Sequence, residues 1–221
     1  LVPVCAVLLA LVLLSTMSCT KTPVPDTPDA PQAEKSRLLT DADRAWHSQQ
    51  YAQAQDLYAK LTARNDLTAG ERELSLERFA QSAVENSQPE KALAAMADWA
   101  MASPLGRQNS TWQETYIRAL AAVSEPVSRE RLAQAAANDP ANPALVALSA
   151  EAMVAGLRWS AGDVQTALAS LSQLPPRAQT QDIMARIEAI VFDEARYVSS
   201  PSLEAIALLI PEEEQGRFPY T

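Results

Sequence analysis

The chain has 221 residues, of which 48% are apolar, 20% charged and 5% aromatic, with five glycines, fifteen prolines, two cysteines and one histidine. Five glycines are too few for the tight turns of a β-sandwich or barrel, whereas roughly 40 alanines favour closely packed helices and predict an all-α fold. A net charge of −9 with no basic stripe excludes nucleic acid as a partner, and one His with two Cys cannot furnish a His/Cys zinc site.

Residues 1–18, LVPVCAVLLALVLLSTMS, are uncharged and apolar, as in the hydrophobic core of a signal peptide. The basic start and the initiator Met are missing, so the signal is expected to be truncated at its front. Ser15-Thr16-Met17-Ser18-Cys19 resembles a bacterial lipobox, with Thr16 standing where Leu is usual. That resemblance implies lipidation of Cys19, and Thr20 after it implies sorting to the outer membrane, facing the periplasm. Cys5 leaves with the signal, so Cys19 has no partner thiol for a disulfide. Residues 19–35 hold Pro23, Pro25, Pro28 and Pro31 and few apolar side chains. They read as an extended linker of up to roughly 50 Å at about 3 Å per residue.

Residues 36–211 read as a helical repeat domain. Its clearest unit is AGDVQTALASLSQL at 161–174, where Gly162 and Asp163 mark a turn and Ala167, Leu171 and Leu174 share one helical face. The unit resembles the tetratricopeptide repeat, a helical hairpin of about 34 residues. Tyr51, Ala54, Tyr58 and Leu61 fit the same template. So do Ala92, Met96 and Trp99, preceded by Leu76, Phe79, Ala80 and Ala83 and closed by Pro104. A third unit takes Trp112 and Ala119, then Ser128, Leu132 and Ala135, and closes at Pro140. A fifth runs through Phe192, Ala205 and Leu209. The small-residue anchors Ala54, Ala92, Ser128, Ala167 and Ala205 are spaced by 38, 36, 39 and 38. Departures from the family are Gln49 and Ser87 in place of the turn glycine, and Tyr116 in place of a small residue. The expected architecture is therefore a short superhelical solenoid of hairpins.

Trp46 and Trp159 precede Tyr51 and Val164 by five residues each, in a column that faces the groove of such arrays. They are candidate aromatic anchors for a protein partner; the competing reading places them as fillers between hairpins. The sequence offers no phosphate loop, nucleophile elbow or zinc helix. His47 reads as a surface helix residue and Glu212-Glu213-Glu214 as a solvated cluster, so no enzyme activity, metal or cofactor is expected.

Residues 212–221 lead away from the last helix and are expected to join a missing C-terminal domain. The lipobox, linker, alanine-rich hairpins and terminal stretch together resemble the N-terminal part of bacterial penicillin-binding-protein activator lipoproteins. That resemblance implies a protein that stimulates a peptidoglycan synthase by binding it. Two other readings stay open: a lipoprotein scaffold for outer-membrane protein assembly or another envelope complex, and the accessory region of a cell-wall enzyme.

Overall fold

A computed structural model describes residues 30–103, 105–174, 177–178 and 181–195; the signal region, Cys19, Pro104, Ala205, Leu209 and residues 212–221 lie outside them. The chain divides into two units, Leu1–Ser36 and Arg37–Thr221, and the hairpin contacts belong to the second.

The fold is all-α, and among the described residues there is no strand. Helix α1 spans Ala30–His47 and is followed by α2, Tyr51–Thr62. Its first six residues were expected in the linker, and Pro31 suits a first helical turn because it has no N–H to leave unbonded. Next come α3, Ala69–Glu85, and α4, Pro89–Ala102. A 3₁₀ turn at Gly106–Gln108 leads to α5, Ser110–Ala122, and α6, Pro126–Asn138. The last described elements are α7, Ala144–Ser160, α8, Val164–Leu171, and α9, Gln181–Ala195.

Three of the helix pairs are closed by the same turn. Gln49, Ser87 and Gly162 have φ of 57°, 55° and 89°, and each stands two residues before the second helix of its pair. At each site the left-handed residue donates to the carbonyl three back, from Gln49 to Trp46, Ser87 to Val84 and Gly162 to Trp159. The following residue donates to the carbonyl five back, so Gln50 reaches Ala45, Gln88 reaches Ala83 and Asp163 reaches Arg158. This is the Schellman arrangement that satisfies the last carbonyls of a helix. It favours glycine, because a Cβ in left-handed backbone is strained.

Gln49→Gly and Ser87→Gly should therefore each raise stability by up to about 1 kcal/mol, strain relief exceeding the added entropy of the unfolded chain. A Cβ at Gly162 would meet no atom within 4 Å. Gly162→Ala should thus lose about 1–2 kcal/mol through backbone strain alone. Thermal unfolding checks all three, and opposite signs at Gln49 and Gly162 are the expected pattern.

The fourth residue of each second helix faces its pair partner. Ala54, Ala92 and Ala167 occupy that place and are fully buried. Ala83, Ala92 and Ala119, from α3, α4 and α5, form one small buried cluster of methyl side chains, with the partly buried Val84 and Leu93 packed against it. The third pair corrects the expected register. There the fourth residue is Arg129, whose amide donates to the Glu125 carbonyl as Ala54, Ala92 and Ala167 donate to Gln50, Gln88 and Asp163. Ser128 is only half-buried, Ala135 is exposed, and Ala133 and Ala136 take the core positions expected of Leu132 and Ala135. The spacing is therefore 38, 37 and 38 rather than 38, 36 and 39. A guanidinium stem where neighbours have a methyl prevents close approach, so α6 packs mainly on α7 and little on α5. This pair also lacks a left-handed turn residue; the Glu125 carboxylate instead accepts from the amides of Val127 and Ser128.

Each described first helix from α3 onward also meets the next one: α3 packs on α5, α5 on α7 and α7 on α9. The main core gathers Met96, Trp99, Trp112, Leu120, Val146 and Met153, among others. Smaller cores lie under Tyr58 and Leu61 and under Leu148 and Leu174. Tyr116 enters by stacking on Trp112 at a centroid distance of 4.8 Å, which accounts for a large ring where a small residue was expected.

Candidate partner-binding surface

The two tryptophans of the expected groove column have different surroundings. Trp46, at the end of α1, is half-buried against the α1–α2 core. Its ring meets Tyr51 edge-on at 5.5 Å, and the Arg78 guanidinium lies 4.8 Å over it. Three covered sides leave a small rim, so Trp46 is mainly a packing residue with a cation on its face.

Trp159 is 5% exposed and belongs to the interior. A ring this buried offers a partner little surface. The physical reason lies in α7, where eleven of seventeen residues are buried, a helix apolar on nearly all sides. Four helices, α5, α6, α8 and α9, pack around it. Arg186 of α9 also reaches Glu114 of α5 at 2.8 Å. The Trp159 end of the expected column is thus buried here.

Between α3 and α4 the structure holds a groove of about 470 Å³ that sequence reading did not single out. Leu76 and Arg72, one turn apart on α3, form one wall. Asp98, Met101 and Ala102 share a face of α4 and form the other, while Thr62 and Ala63 at the end of α2 close one end. Arg72 is held by donating to the Thr62 and Arg64 carbonyls at 3.3 and 2.8 Å, which caps α2. Met101 is 77% exposed although its α4 neighbour Trp99 is fully buried. No residue pattern announces the groove, since its lining comes from three separate stretches of chain.

Elsewhere on α3 the charged groups serve packing. Glu73 accepts from the Trp99 indole Nε1 at 3.0 Å. Burial pushes the Glu77 carboxyl above the usual range, opposed by Arg78 and reinforced by Glu73. Burial and the hydrogen bond to Asp43 at 2.6 Å push the Tyr58 phenol up strongly. A second tie fastens the 3₁₀ turn, where Arg107 bonds Asp139 at 2.6 Å and Asn142 at 2.8 Å. His47 is an exposed residue at the end of α1. Among the described residues no three His, Cys, Asp or Glu side chains converge on a metal position, and no helix is long and apolar enough to cross a membrane.

No family model, no curated protein and no solved structure matches the chain.

Proposed function

We propose that the chain is a tetratricopeptide-like array of helical hairpins that binds protein, tethered to the outer membrane through a lipid on Cys19 and facing the periplasm. On this reading it is the helical part of an activator of a peptidoglycan synthase of the penicillin-binding class. The observation that carries the binding reading is the recurrence of one turn and one buried alanine in three helix pairs, 38 and then 75 residues apart, with a fourth pair between that keeps the register but neither the turn nor the alanine. Stacked hairpins of this kind present an extended surface set by a rigid scaffold. The activator reading adds the resemblance of the lipobox, linker and hairpins taken in order.

Two experiments test the two halves separately. Purified chain should bind a purified bifunctional penicillin-binding protein from the same envelope and raise its rate of glycan-strand synthesis several-fold. A synthase that neither binds nor responds counts against the activator reading, and capture of outer-membrane assembly proteins in its place would favour the scaffold. For the anchor, Cys19→Ser removes the thiol that forms the thioether, since a serine hydroxyl is a far poorer nucleophile. The variant should leave the membrane fraction, and retention there would reject lipid attachment at this residue.

A further inference from the structure

We propose that the groove between α3 and α4 is a docking site for a protein segment carrying an aliphatic side chain with a lysine or arginine one helical turn away. The inference rests on the protein-binding reading above and moves its contact from the tryptophan column to this groove.

Three observations converge on it. First, Met101 is 77% exposed on the groove wall, and Leu105, 76% exposed, follows four residues later in the chain, after the end of α4 and outside the groove lining. Large apolar side chains that face water beside a concavity mark interaction surfaces more than singly scattered ones do. Methionine suits such a wall because its unbranched thioether adapts to the shape of an incoming side chain. Leu76, 6% exposed, supplies a firm floor for an aliphatic anchor.

Second, charge selects the partner's sign. Asp98 lies on the same α4 face as Met101, three residues earlier, and its carboxylate makes no ion pair or hydrogen bond among the described residues. The opposite wall's cation, Arg72, already donates to two carbonyls at the end of α2. The groove therefore presents one uncommitted negative charge and no uncommitted positive one. A basic residue one turn from the anchor would meet Asp98 as the anchor meets Leu76 and Met101, and an acidic one would meet repulsion. The chain's net charge of −9 acts in the same direction at longer range.

Third, the walls are held in place. Arg72 is tied at both ends of its fork, and α4 is fixed by the buried Trp99, so little is lost in ordering the site when a partner binds.

The test uses the chain labelled with ¹³C at methionine methyls and two synthetic amphipathic peptides, identical except that lysines in one are glutamates in the other. Met101→Leu assigns the reporter resonance, and Met96 and Met153, both buried, serve as internal controls. The lysine peptide should move the Met101 methyl and leave Met96 and Met153 in place. The glutamate peptide should bind about tenfold more weakly. Asp98→Asn, an exposed and unpaired position, should keep the fold and weaken the lysine peptide about threefold. A Met101 signal that stays still, equal affinity for the two peptides, or undiminished affinity in Asp98→Asn would each overturn the proposal. So would a dimer in sedimentation that Met101→Glu disperses, since a second copy would then occupy the groove. Synthase binding that survives in Asp98→Asn would leave the protein-binding reading intact and reject this groove alone.

Discussion

Trp99→Ala should lower stability by about 3–5 kcal/mol, one of the two largest losses expected for a single replacement in the chain. The indole is fully buried in the main core beside Met96 and Trp112, and its Nε1 donates to Glu73 at 3.0 Å. Truncation removes the transfer energy of the ring, leaves a cavity that helices on several sides cannot fill, and strands a carboxylate that had a donor. Gly106 sharpens the expectation. A Cβ there would lie 3.4 Å from the Trp99 Cδ1 and Nε1, so the 3₁₀ turn rests directly on the indole edge. Trp99→Phe keeps most of the volume and should cost about 1–2 kcal/mol, chiefly the lost hydrogen bond. Urea unfolding of the two variants checks the order. A loss under about 1 kcal/mol for Trp99→Ala would show that the core around it can collapse.

Trp159→Ala is expected to cost a similar amount, about 3–5 kcal/mol, but Trp159→Phe should behave differently from its Trp99 counterpart. The Trp159 Nε1 is buried and has no acceptor among the described residues. A buried donor left unpaired costs about 1–3 kcal/mol, so removing it with the ring volume largely kept should be neutral or stabilising. Trp46→Ala should cost less than either alanine change, since its ring is only partly buried and loses an edge contact and one cation–π contact of about 1 kcal/mol each. Unfolding of the five tryptophan variants under one set of conditions separates core from surface directly. Equal losses for Trp46→Ala and Trp159→Ala would contradict the difference in burial.

The helical class was readable in the sequence, and so were the buried alanines of three helix pairs. Scarce glycine, abundant alanine and the 3.6-residue apolar spacing after Tyr51, Pro89 and Val164 are local properties, and the structure buries Ala54, Ala92 and Ala167 as that spacing requires. The left-handed turn at Gln49 and Ser87 was also marked, as the place where glycine was missing. The third pair was misread by one residue because Ser128 is small and Arg129 is not, yet register follows the helix start at Pro126 rather than side-chain size.

The site was harder to read than the fold. Which side of α7 faces solvent depends on whether α9 packs over it, and that is decided by contacts between residues far apart in the chain. The groove at Met101 is lined from the end of α2, from α3 and from α4, a meeting that no residue motif encodes. Asp98 and Met101 carry the spacing of any exposed helix face, so only their burial and pairing single them out.

The cap that replaces the left-handed turn between α5 and α6 gives this joint a sensitivity to acid. Hydrogen bonds from Ser128, through its hydroxyl and its amide, and from the Val127 amide hold the Glu125 carboxyl below the usual carboxylate range. A carboxylate whose folded value is depressed contributes stability above its unfolded value, and that contribution is lost as pH falls through the folded one. The turns at Gln49 and Ser87 use backbone groups that do not titrate, and neither following helix has a side-chain cap. Acid below the usual carboxylate range should therefore lower the hydrogen-exchange protection factors of the Val127 and Ser128 amides before those of Ala54 and Ala92. The first turn of α6 is where protons can loosen the scaffold while its neighbours stay closed.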